Sequence, residues 1–229
     1  MQSNKDELTR PKTVTVDGPA GAGKSTIAKE LAKRLGYSYI DTGAMYRALT
    51  FKAMRLNIDL NDEQKLVELA QQTNIDLINS RNGMVVNLDG QDVSSEIRSV
   101  EVTNNTFYIA RAPRVRQIMV KWQRAMGLRK NIVVEGRDVG TVVFPNANYK
   151  FYLDADLDER SNRRIKELRE KGKIVEAETL KEEMKQRDHK DLNREVGPLK
   201  RADDAILIDS TNLTIEQVVE KILTFIVNN

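Results

Sequence analysis

Apolar and polar positions along the chain follow two alternating rhythms. Thr13-Val14-Thr15-Val16-Asp17 is β-branched and ends in an acid, which predicts a strand. A glycine-rich turn follows. Residues 25–35 then place Ile27, Ala28, Leu31, Ala32 and Leu35 at helical spacing, and Gly36 supplies the stop. Short apolar runs at 37–41, 131–135, 149–154 and 205–209 predict four more strands, with helical stretches between and after them, notably 215–227. This alternation predicts a five-stranded parallel sheet with helices on both faces, a doubly wound α/β core.

Residues 57–105 break the rhythm. An amphipathic stretch at 62–72 precedes short strands at 74–79, 84–89 and 92–93. Arg81-Asn82-Gly83 and Asp89-Gly90 between them are hairpin signals, so a small antiparallel sheet is expected as an insert. Residues 1–11 are polar and read as a loose tail.

Composition narrows the class. The 229 residues are 40% hydrophobic and 31% charged, which favours a folded core in one domain. Lys plus Arg number 37 and Asp plus Glu 34, a net charge of +3 with no long single-sign block. Despite a pI near 9.0, polymeric nucleic acid is therefore not the expected partner, and the arginines can serve small anions instead. There are no cysteines, which excludes disulfides, zinc thiolates and thiol nucleophiles. Residues 1–11 have no apolar signal region and no apolar run spans a bilayer, so the expected location is the cytoplasm.

Gly18-Pro19-Ala20-Gly21-Ala22-Gly23-Lys24-Ser25, followed by Thr26, fits G-x-x-x-x-G-K-[ST] between a strand and a helix. A triphosphate needs several backbone N–H groups converging on it, and glycines let the chain wrap without Cβ clashes. The helix that follows adds its N-terminal dipole. Lys24 brings a mobile charge to the β and γ oxygens, and Ser25 brings a hydroxyl to Mg²⁺. Glu135 ends a buried strand, where it can hold that ion through water.

The acceptor side is less explicit. No N-K-x-D segment points to guanine. Thr42, Tyr46 and Arg47 follow the second strand, and Arg137 and Asp138 follow the third, at the strand ends where α/β folds bind ligands. Arg187, Asp191 and Arg194 are spaced to share one helical face. Arg160, Arg163 and Arg164 sit at i, i+3 and i+4 on a helix leading to Lys171-Gly172-Lys173, a fit for a lid over ATP. Each set taken singly also fits a solvated charged surface.

In order and separation, D-G-P-A-G-A-G-K-S-T, D-T-G-A-M-Y-R, E-G-R-D-V-G-T-V-V-F-P and R-D-H-K-D-L-N-R resemble bacterial cytidylate kinases, within the P-loop nucleoside monophosphate kinases. The resemblance runs from about Thr13 to Val227. It implies transfer of phosphate from ATP, with Mg²⁺, to CMP or dCMP by a monomer. It implies one kinase domain at 12–229, with a monophosphate-binding region at about 43–115 and a lid at about 156–178. It places Thr42, Tyr46, Arg47, Arg137, Arg187, Asp191 and Arg194 around the acceptor phosphate and sugar, and Arg116 and Asp138 at the cytosine edge. Lys24, Arg137, Arg160 and Arg164 become the catalytic cations. Two departures stand out: Phe107, beside Thr106, occupies a position where the family usually has Ser, and Glu135 replaces the usual Asp.

A kinase of UMP, AMP or shikimate, a plain ATPase, and an ATP-binding module that docks on RNA are the other readings of these residues. Phosphoryl transfer between two nucleotides needs no strong general base, because the attacking phosphate oxygen is already largely ionised. The single histidine, His189, is accordingly expected to be dispensable. His189→Gln should keep turnover within about threefold of wild type in a coupled assay of ADP release, the range of an exposed substitution.

Overall fold

The computed structural model of the chain describes residues 11–80, 83–128, 130–170, 172 and 174–228. Residues 1–10 of the expected tail, Arg81 and Asn82 of the first hairpin turn, and Lys171 and Lys173 lie outside the described residues.

Five parallel strands form the main sheet: β1 (Thr13–Asp17), β2 (Ser38–Asp41), β6 (Ile132–Gly136), β7 (Tyr149–Asp154) and β8 (Ile206–Asp209). Their order is β2-β6-β1-β7-β8. The register pairs Asp17 with Gly136 and Asp41 with Glu135, so the carboxyl ends lie along one edge. The phosphate loop leaves β1 at the centre of that edge and enters α1 (Lys24–Leu35). Gly23 at φ 90 starts α1 and Gly36 at φ 68 stops it, both in left-handed geometry. Asp41 caps α2 (Thr42–Arg55) by accepting from the Ala44 N–H at 2.8 Å.

The expected insert is present. Helix α3 (Glu63–Gln71), capped by Asp62, leads into an antiparallel sheet of β3 (Ile75–Ser80), β4 (Gly83–Leu88) and β5 (Gln91–Asp92). Asp89 and Gly90 turn between β4 and β5 at φ 50 and 88, the two left-handed residues of a primed hairpin turn. Helices α4 (Val100–Arg111) and α5 (Pro113–Gly127) return the chain to the main sheet. Leu66, Val86 and Ile97 of the insert region join Val14, Leu31 and Phe151 in one hydrophobic core. Helices α6 (Leu157–Glu170) and α7 (Ala177–Leu192) form a hairpin with its own small core of Ile165, Leu168, Leu180 and Met184. Helix α8 (Ile215–Asn228) packs Val218, Val219 and Ile222 against the sheet.

Asp17 joins two functional loops. It directly precedes Gly18, and its carboxylate accepts the Val139 N–H at 2.9 Å and the Gly140 N–H at 2.7 Å. Those N–H groups open the π-helical turn Val139–Val143, just after Arg137 and Asp138. Burial pushes the Asp17 carboxyl up to about 6 although these bonds pull it down. A carboxyl raised on folding binds more protons in the folded than in the unfolded chain, so its contribution to stability falls as pH rises from about 4 to about 6. At about 1.36 kcal/mol per unit, the wild-type advantage over Asp17→Asn should shrink by about 3 kcal/mol between pH 3 and 7, as read from urea unfolding, and stay flat above 7.

Candidate active site

A cavity of about 1700 Å³ opens over the carboxyl edge of the sheet. Lys24, Ser25 and Thr26 line it together with Arg47, Arg137 and Arg187. The loop backbone owes its shape to close packing: a Cβ on Gly18 would collide with the Leu153 carbonyl, and Gly18 holds a φ of 148°. Lys24 is almost fully buried, and its Nζ donates to the Pro19 carbonyl at 2.6 Å. Burial, then the nearby Arg137, lowers its ammonium to about 7. Burial and Arg137 likewise lower the Arg187 guanidinium to about 10. Cations that depress one another inside one cavity mark a place built for an anion.

The third strand end supplies oxygen donors. Glu135 is buried and accepts from the Tyr39 hydroxyl, with the Ser25 hydroxyl beside it. Burial, and then Asp41, raises its carboxyl. A buried carboxylate next to a hydroxyl at the mouth of a phosphate loop is a hard-oxygen set that fits Mg²⁺, which takes few protein ligands and keeps several waters. Thr42 sits behind it, its hydroxyl donating to the Glu135 carbonyl at 2.7 Å.

The acceptor half is a chain of ion pairs. Arg47 donates to Asp41 at 3.0 Å, and Arg137 to Asp191 at 2.9 Å. Burial works against the Asp191 carboxylate, but Arg137 and Arg187 prevail and hold it below its usual range. Deeper in, Arg116 pairs with Asp138 and donates to the Ala110 carbonyl at 3.1 Å, while Arg194 lies 3.9 Å from the other Asp138 oxygen. Burial raises the Asp138 carboxyl despite Arg116. Tyr46 lies under Arg116, whose guanidinium is 5.6 Å from the ring centroid.

Two sequence expectations are corrected. Arg187, Asp191 and Arg194 do not share one helical face, because α7 ends at Leu192 with Asn193 as its cap. Arg194 belongs to the segment beyond, which folds back so that its guanidinium donates to the Gly197 carbonyl. All three nevertheless reach the cavity. Arg160, expected beside Arg164 at the phosphates, is buried beneath the loop instead. It donates to the Ala20 carbonyl at 2.8 Å and to Asp188 at 2.5 Å, and Asp188 accepts the Ala20 N–H at 3.1 Å. Arg163 and Arg164 do line the cavity, with Arg163 also bound to the Ser210 carbonyl at 2.6 Å. Phe107 is half-buried in the cavity wall, with Lys190 5.6 Å from its ring centroid.

Sequence reasoning missed Asp17, Tyr39, Asp188 and Arg98. An acid closing a buried strand was a usable signal for Asp17. Arg98, exposed in the cavity wall on the insert side, and Asp188, within R-D-H-K-D, carried no separable signal.

A family model described as cytidylate kinase matches residues 14–228. The cytidylate kinase of Caldanaerobacter subterraneus subsp. tengcongensis is 50% identical over 216 residues, 94% of this chain and 95% of its own. That of Bacillus subtilis is 48% identical over 216 residues, 94% of this chain and 96% of its own. Among solved structures, a gluconokinase from Sinorhizobium meliloti is similar at a TM-score of 0.51 and 14% identity, covering 95% of this chain and 93% of its own. At that identity the likeness speaks for the fold alone. Matched from one end of the folded region to the other, this chain belongs to the cytidylate kinase family.

Proposed function

We propose that the chain transfers the γ-phosphoryl group of ATP to the phosphate of CMP or dCMP, yielding ADP and CDP or dCDP. One observation carries this reading: Lys24 shares a single cavity with Arg47, Arg137 and Arg187, close enough to Arg137 and Arg187 to feel their charge. That is the arrangement two facing phosphate groups require.

In this reading the donor triphosphate lies along residues 18–26, with Lys24 at its β and γ oxygens. Arg47, Arg137 and Arg187 hold the acceptor phosphate so that one of its oxygens attacks the γ phosphorus in line as the bond to the β–γ bridging oxygen breaks. Ser25 directly and Glu135 through water would hold Mg²⁺, which when bound neutralises charge on the β and γ oxygens. Arg163 and Arg164 fit a lid role, because the α6–α7 hairpin that carries Arg163 and Arg164 has its own core and closes one side of the cavity. Closure keeps water from competing with the acceptor. The chain would work as a cytoplasmic monomer on free nucleotides, with the acceptor region at about 43–115 and the lid at about 156–178.

Base choice is assigned to Arg116 and Asp138. The exocyclic amine of cytosine is a donor that suits the Asp138 carboxylate, and its ring acceptors suit Arg116. A base without that amine would turn an acceptor oxygen instead of a donor towards the Asp138 carboxylate. Asp191 would take the ribose hydroxyls, with Thr42 and Arg194 beside it.

The test is an acceptor panel of CMP, dCMP, UMP and AMP, read by ADP release. CMP or dCMP should be fastest, and UMP or AMP outrunning both would reject the assignment. Hydrolysis at the same rate without any acceptor would mean an ATPase. Asp138→Asn should lower kcat/KM for CMP about 10- to 100-fold, the worth of a hydrogen bond to a charged group, while leaving the KM for ATP unchanged.

A further inference from the structure

Tyr46, Arg116 and Gln123 form a group of buried side chains whose polar atoms are incompletely paired among the described residues. The Tyr46 hydroxyl, Arg116 Nε and both ends of the Gln123 amide make no hydrogen bond of good geometry there. Gln123 is 0% exposed. It lies on α5 seven residues beyond Arg116, two turns along and so on the same face. Tyr46 reaches from α2 into the space between them: its ring underlies the Arg116 guanidinium, and its hydroxyl meets the Gln123 amide. A buried primary amide is costly unless paired, and methionine would fill a similar volume at no such cost. Tyr46, the polar group that meets it, also lines the cavity.

We propose that Gln123 is a positioning residue for base recognition. A hydrogen bond between its amide and the Tyr46 hydroxyl fixes the ring that supports Arg116. The Arg116–Asp138 pair is thereby presented to the acceptor base at one angle. Gln123 touches neither nucleotide and acts only through Tyr46. This inference rests on the reading that the base sits at Arg116 and Asp138.

Gln123→Met, Tyr46→Phe and the double variant test it, with steady-state constants for CMP, UMP and ATP and a melting temperature for each. In Gln123→Met the KM for CMP should rise about five- to tenfold, the scale of one neutral hydrogen bond. The CMP-over-UMP preference should fall, while kcat and the KM for ATP stay within about twofold. Tyr46→Phe should raise the KM for CMP too, and the double variant should be no worse in that constant than the worse single one, because both remove one interaction. An unchanged KM for CMP in Gln123→Met overturns the proposal. So does a parallel rise for CMP and ATP with a lower melting temperature, or a double variant equal to the product of the singles. Should Gln123→Met not fold, Gln123→Leu replaces it, and an unchanged KM for CMP there overturns the proposal. Asp138→Asn separates the two levels. If it weakens CMP while Gln123→Met does not, only the positioning role fails; if it too leaves CMP unaffected, the placement of the base fails with it.

Discussion

Each strand of the main sheet ends, or nearly ends, in a carboxylate, and the active site hangs from that row. In a parallel sheet all carboxyl ends share an edge, and each chain leaving it exposes backbone N–H groups with no ladder partner. Asp17 takes those of Val139 and Gly140, Asp41 that of Ala44, Asp154 that of Ala155 at 2.9 Å, and Asp209 that of Thr211 at 2.9 Å. Glu135 is the exception, turned to Tyr39 and the Ser25 hydroxyl. Four acids are thus spent on shaping loops, and the fifth remains facing the phosphate loop.

This division explains the charge balance of the site. Arg47 and Arg137 are each paired with an acid, Asp41 and Asp191, yet both line the cavity. The partner acids keep the guanidinium groups oriented without shielding them completely. Burial lowers both Lys24 and Arg187, and the remaining positive excess, Arg137 above all, lowers them further. Two arriving phosphate groups would supply the missing negative charge.

Much of this was legible in the sequence. The order of strands and helices followed from apolar periodicity, and the Asp89-Gly90 turn from residue type alone, because only a few residues accept φ values of 50 and 88 in succession. The phosphate loop was explicit because its chemistry demands fixed glycines. The direction of long side chains was not legible. Arg160 and Arg164 are one helical turn apart and read alike, yet Arg160 goes under the loop and Arg164 into the cavity. The end of α7 was equally hidden: Asn193 stops the helix by donating to the His189 carbonyl at 2.8 Å, and nothing in the spacing of Arg187, Asp191 and Arg194 announces it. Gln123 gave no signal, since a glutamine in an amphipathic helix reads as surface.

The ion pair of Arg160 and Asp188 grips both the N–H and the C=O of Ala20, at the shoulder of the phosphate loop. Arg160 belongs to the first turn of α6 and Asp188 to the last turns of α7, so the grip lies at the base of the helical hairpin. In the lid reading, that base would stay with the loop, and a swing of the hairpin would pivot beyond it, towards Ile174. The reach of such an arm would then be set by the length of helix between that pin and Ile174.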